Sequence, residues 1–208
     1  MNFFRQHWFD IGFILGSAAI AYTILYAGAF TSLNFILWFN FASLFFHQFE
    51  EYRYPGYFPG MLNSVLFKSK TPDRYPLNTN SALIINVALG WFVYFLSALI
   101  GEKYIWFAIG VTLISVGNFF AHTIIFNIKA KKFYNPGLIT SLLLFLPGSS
   151  YFFYILVKNN LASMPDYIIG GILGFIFNYF GIIKIIEWMK DENTKYIFPP
   201  RCLLPEKN

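Results

Sequence analysis

Residues 80–100 read NSALIINVALGWFVYFLSALI, an unbroken apolar run without a single charged side chain. A helix that crosses a bilayer needs about 20 mostly apolar residues, so this run decides the class of fold. Working outward, comparable runs lie at 8–30, 33–51, 104–127, 136–157 and 166–189. The chain has 208 residues, of which 57% are hydrophobic and only 12% charged, against about 25% charged in soluble domains. Little is left over for a soluble unit. The expectation is therefore an all-α, polytopic membrane helix bundle of about six transmembrane helices, with residues 1–208 forming a single membrane-embedded helical domain.

The first run begins after Arg5 and contains Ala19-Ile20-Ala21, which makes a cleaved signal peptide the competing reading. That reading is rejected because the run continues to Phe30 and Asp10 interrupts the would-be signal core. Cys202 is the single cysteine and falls in a polar tail, which excludes a disulfide framework and a cysteine metal cluster. The net charge of +5 raises nucleic acid as a partner, but no basic patch with interleaved exposed aromatics supports it, so no nucleic-acid partner is expected.

The basic residues have a simpler distribution. With the amino terminus placed in the cytosol, Arg5, the Arg53–Arg74 connection, Lys129, Lys131, Lys132 and the carboxyl-terminal Lys and Arg residues all fall on the cytosolic side. Only Lys103 and Lys158 fall outside. This segregation sets both termini in the cytosol, and it is lost if one helix is removed. It also gives the polar residues a depth. His47, Glu50 and Glu51 end the second run at the cytosolic face, Asn118 and His122 approach that face on the fourth, and His7 and Asp10 start from it on the first. All three histidines thus fall in one layer.

At 3.6 residues per turn, His47, Glu50 and Glu51 project one imidazole and two carboxylates from one side, and Asn40 and Ser43 extend the stripe. Ser115, Asn118 and His122 form a second stripe. Ionisable groups in membrane helices normally face a bundle interior or a wet cavity and mark functional sites. Pro55 stops the second helix near residue 54, which puts two acids where the helix dipole disfavours negative charge by about 0.3–1 kcal/mol each. Arg53 or Lys68 would neutralise them, and a metal ion would do so better. Two carboxylates and two or three imidazoles are the ligand types of zinc or non-haem iron. The bland alternative leaves Glu50 and Glu51 solvated among lipid headgroups, with His47 merely interfacial.

These residues also resemble something known. His47-Gln48-Phe49-Glu50-Glu51 is similar to the signature of the HxxEE-domain family of small prokaryotic membrane proteins, and Asn118, His122 and Tyr134-Asn135-Pro136-Gly137 follow in the family's order. The resemblance runs from about the second helix to the fifth. It implies a membrane enzyme in the inner (plasma) membrane of a prokaryotic cell, with His47, Glu50, Glu51 and His122 as its polar centre, and it supplies no reaction.

The functional expectation is a metal-dependent membrane hydrolase acting on a lipid or other apolar small molecule at the cytosolic leaflet. His47, His122 and one of Glu50 and Glu51, with His7 as a further candidate, hold a divalent metal, zinc being favoured and iron the alternative. The other glutamate takes a proton from water, and Asn118 orients substrate or stabilises oxyanion charge. The rivals are a metal-free acid/base lipid isomerase and a non-enzymatic transporter or lipid-binding protein. Gly12-x-x-x-Gly16 and Gly170-x-x-x-Gly174 have the spacing of packing or dimerisation surfaces, which allows a homo-oligomer. Pro147-Gly148 is expected to kink the fifth helix, and residues 52–79 form a long connection placed over the motif, as a lid or as a loop resting on the membrane.

Overall fold

A computed structural model describes residues 2–205, and among these there is no strand. The helices are α1 (Asn2–Tyr26), α2 (Leu33–Tyr52), the short α3 (Phe58–Met61, continued by a π turn at Leu62–Leu66), α4 (Thr79–Ile100), α5 (Ile105–Ala130), α6 (Leu138–Lys158) and α7 (Met164–Trp188). Five of them, α1, α4, α5, α6 and α7, are long and apolar enough to cross a membrane. The second of the six expected spans is present as a helix of 20 residues, but Asn34, Asn40, Ser43, His47, Gln48, Glu50 and Glu51 dilute its hydropathy. Five helices, rather than six, meet the combined requirement of length and apolarity. α2 is instead the central helix of the bundle. It packs on α1, α4 and α6, and its polar residues Asn40, Ser43, His47, Gln48, Glu50 and Glu51 are all buried.

Close approach of backbones, permitted by small residues, holds these contacts. On α1, a Cβ at Gly16 would lie 2.7 Å from Cβ of Phe45 on α2. On α7, Cβ atoms at Gly170 and Gly174 would lie 2.6 Å from Ile109 and from Leu113 on α5. Both small-residue spacings are thus used for packing within the chain. α2 is capped by Ser32, whose Oγ accepts from Phe35 N at 3.1 Å, and α4 by a reciprocal box between Asn78 and Ser81.

Four of the long helices contain π turns, at Ile84–Trp91, Ala121–Ile125, Ser141–Phe145 and Tyr179–Lys184. Such turns insert an extra residue into the ladder and are frequent at functional sites. The irregularity expected at Pro147 in α6 is absorbed just before it, by the turn at Ser141–Phe145, because proline offers no N–H to the preceding carbonyls.

The connection after α2 is folded. Asn63, fully buried, donates to Pro72 O and Leu77 O, each at 2.8 Å, and accepts from Leu77 N. The carboxyl-terminal segment straps over it: Thr79 N donates to Tyr196 O, Phe198 N to Asp73 O, and Arg201 to Tyr52 O and Gln6 O. Cys202, expected in a polar tail, is buried against this end of the bundle. Burial pushes its thiol up to about 11, so it is an inert packing group rather than a reactive one.

Candidate metal centre

α2 ends in two acids and an imidazole at i, i+3 and i+4, and the neighbouring helices sort them. His47 and Glu51 face α5, where the π turn turns His122 inward. Glu51 Oε1 lies 3.2 Å from His122 Nε2 and 3.7 Å from His47 Nε2. The two imidazoles stand nearly perpendicular, with centroids 4.9 Å apart. One ligand atom from each of His47, Glu51 and His122 falls within 4.8 Å of the others, and all three residues are buried. This group could hold a metal ion.

Hydrogen bonds set the tautomer of each ring. His47 Nδ1 lies 2.9 Å from Thr140 Oγ1, and that hydroxyl donates its hydrogen to Glu50 Oε2 at 2.6 Å. Thr140 must therefore accept, so Nδ1 carries the hydrogen and Nε2 the lone pair. Asn135 donates through Nδ2 to His122 O and Asn127 Oδ1, which leaves its Oδ1 to accept from His122 Nδ1 at 2.6 Å. His122 Nε2 is again the lone-pair nitrogen. Both Nε2 atoms are buried without a hydrogen bond, a costly arrangement. Metal-ligating histidines are oriented in this way, by a partner on the distal nitrogen.

Glu50 turns the other way. Its Oε1 accepts from Tyr134 Oη at 3.1 Å and Ile139 N at 3.2 Å, and its Oε2 accepts from Thr140 N at 2.8 Å as well as from the Thr140 hydroxyl. Burial and the Glu50 charge both push the Tyr134 phenol up, which keeps it a donor. Glu50 thus sits on the amino-terminal end of α6, where exposed N–H groups favour an anion. That end is its positive partner. Arg53, the partner expected from sequence, pairs with Asp10 instead at 2.9 Å, and Lys68 is exposed in the connection.

Gly137 makes the approach of His122 feasible. Its φ is +101°, and a Cβ there would collide with the His122 ring. Gly137→Ala is expected to destabilise the protein by about 1–3 kcal/mol through overpacking and backbone strain, with a matching loss of metal retention. A thermal melt in detergent, paired with metal analysis, checks both.

The structure brings His47, Glu51 and His122 together and places Asn118 beside them. It does not bring in His7, which pairs with Asp10 at 3.0 Å on a half-exposed surface. Glu50 supports the group through Thr140 without joining it. The facing stripes of α2 and α5 do meet, since Ser115 Oγ donates to Asn40 Oδ1 at 2.9 Å and pairs with Tyr94. Gln48, inside the motif, ties α2 to α4: it donates to Asn86 and accepts from Trp91 Nε1 at 2.8 Å. Thr140 and Asn178 carried no signal in the sequence; their positions depend on how α6 and α7 dock.

His47, Glu51 and Asn118 form one wall of a cavity of about 400 Å³. Gln48, Asn86, Tyr52, Tyr94 and Asn178 add polar points, and the remaining walls are apolar, including Phe58 and Leu62 from the connection after α2. Phe58 also packs against the His122 ring, centroid to centroid 5.3 Å. The connection therefore covers the group, as both readings of it expect.

An all-helical bundle with a buried His/Glu/His group opening on an apolar cavity defines the class of protein. The comparison with known families makes it particular: the model of a protein of unknown function with HXXEE motif matches residues 38–152, and the chain belongs to this family. The match runs from most of α2 through most of α6, and takes in every residue of the metal group and its supports. No curated protein and no solved structure matches the chain.

Proposed function

We propose that the chain spans the bilayer and is a metal-dependent hydrolase acting on a lipid or other apolar substrate at the cytosolic leaflet. The observation that carries this reading is the pair of unbonded Nε2 lone pairs converging on Glu51 Oε1 at the wall of a largely apolar cavity. Two histidines and one glutamate are a catalytic zinc set, which leaves a coordination position for water or substrate; the same set also suits iron(II). Bound zinc would polarise a carbonyl and lower the pKa of water from about 15.7 to about 7.

The rest falls to the chain's own residues. His47, His122 and Glu51 Oε1 would hold the ion, and Glu51 Oε2 would take the proton from water. Water adds to the acyl carbon, the bond to the leaving oxygen breaks, and that oxygen departs with the proton. Asn118 orients the carbonyl and its developing charge. Glu50 is committed to the end of α6, which argues against the two glutamates working as a metal-free acid/base couple. Apolar walls exclude bulk water and strengthen every electrostatic contact inside.

The test is hydrolysis of a fluorogenic long-chain ester by detergent-purified protein. Turnover should vanish with a zinc chelator and return on adding zinc. Undiminished turnover in metal-stripped protein, or sub-stoichiometric metal in fresh wild-type protein, sinks the reading.

A further inference from the structure

The cavity carries information about what enters it. Among the described residues that line it there is no Lys, Arg or Asp; apart from the metal group, its polar points are the amides Gln48, Asn86, Asn118 and Asn178 and the phenols Tyr52 and Tyr94. Gln48 and Asn86 are bonded to each other, to Trp91 and to Tyr52. Asn178 spends both amide hydrogens on Leu113 O at 3.1 Å and Gly174 O at 2.9 Å, which leaves its Oδ1, lying against Gly117 of α5, to accept. An anionic headgroup would be buried here with no guanidinium or ammonium to pair it, a cost proteins avoid. A hydroxyl and an uncharged carbonyl, in contrast, match an amide oxygen and an amide donor.

The way in is sideways. The Phe92–Ile100 half of α4 packs on α2 and α5 rather than on α7, and α7 meets α4 mainly around Thr79–Leu83 and at the π turns. The cavity reaches the surface between these helices and the end of α5, where Leu89, Ile125 and Ile183 line it and are exposed. Gly181 also lines it, and a Cβ at that position meets nothing within 4 Å. The turn of α7 at the opening thus leaves open room beside Gly181, as the helix does beside Gly171, whereas Gly170 and Gly174 are filled by α5.

Building on the hydrolase reading, we propose that the substrate is an uncharged acyl lipid bearing a free hydroxyl, such as an acylglycerol, which enters from the bilayer between α4 and α7 past Gly181. Its chain occupies the apolar part of the cavity, its ester carbonyl reaches the metal group beside Asn118, and its hydroxyl donates to Asn178. Hydrolysis adds water across the ester C–O bond and releases a carboxylic acid and the glycerol alcohol, with no other reactant.

The experiment compares long-chain monoacylglycerol with lysophosphatidic acid of the same chain in mixed micelles, using zinc-loaded wild-type protein and Gly181→Phe, with metal content measured on both. The expected result is fatty-acid release from the neutral lipid at least about tenfold faster in kcat/KM than from the anionic one. Gly181→Phe, which fills the opening without touching the metal group, should slow the long-chain neutral lipid by about tenfold or more while keeping the wild-type metal content. Equal cleavage of the two lipids, no cleavage of either by metal-loaded protein, or a Gly181→Phe rate equal to wild type overturns the proposal. Failure of wild-type protein to hold metal overturns instead the hydrolase reading on which it rests, and the metal measurement separates the two. If Gly181→Phe fails to fold, the neutral-to-anionic preference of the wild type decides alone.

Discussion

His122→Ala should purify almost free of metal under conditions in which wild-type protein retains one ion per chain. Structural zinc sites with four ligands bind with about 10–16 kcal/mol, so one ligand of a three-ligand site accounts for roughly 3 kcal/mol or more, a loss of over about 100-fold in affinity. His122 is also packed tightly, 0% exposed, between Phe58 and Phe126. Its removal leaves a cavity and an unpaired Asn135 Oδ1, so a fall in stability of about 2–4 kcal/mol should accompany the loss. His122→Gln keeps much of the volume and separates the two effects. His7→Ala is the control, because His7 lies outside the group; its metal content should match wild type. Metal analysis after dialysis against a weak chelator reads all three, and equal retention by His122→Ala and wild type contradicts the assignment.

Glu50→Gln has the second-largest expected effect, and it acts through position rather than ligation. Each oxygen of Glu50 faces an N–H donor, Ile139 N on one side and Thr140 N on the other. Whichever way the new amide turns, its NH₂ meets a donor, at a cost of about 1–3 kcal/mol for each buried group left unpaired. The Thr140 hydroxyl then loses its fixed acceptor and His47 its fixed tautomer. Loss of such a support lowers metal affinity by about 10–100-fold, less than loss of a ligand. Thr140→Val should reproduce the weakening while leaving Glu50 on the end of α6. Titration with a fluorescent zinc competitor gives the affinities; if Glu50→Gln releases metal as completely as Glu51→Gln, then Glu50 is itself a ligand.

The long helices were legible in the sequence because they follow from a one-dimensional quantity, run length. Position along the chain, however, says nothing about which side of a helix faces inward. His7 was a candidate ligand beside His47, yet α1 turns it to the surface beside Asp10. Glu50 and Glu51 are about 100° apart on the helix, and only the docking of α5 on one side and of α6 on the other decides that Glu51 meets imidazoles and Glu50 meets N–H groups. Thr140 is invisible for the same reason, being three residues from a turn in an apolar helix. The fate of Cys202 was hidden by composition. The tail is polar on average, but Phe198, Cys202 and Leu204 reach the cluster around Tyr52 and Phe58. Hydropathy alone undervalued α2, since a helix surrounded by other helices need not be apolar on every side.

The account rests on a metal at His47, Glu51 and His122, and anomalous X-ray scattering at the zinc edge from crystals of zinc-loaded protein tests it most directly. The predicted result is a single strong peak at about 2.0–2.1 Å from both Nε2 atoms and 2.0–2.2 Å from a Glu51 oxygen. A peak only at the surface pair His7 and Asp10, or no peak within the bundle, contradicts it.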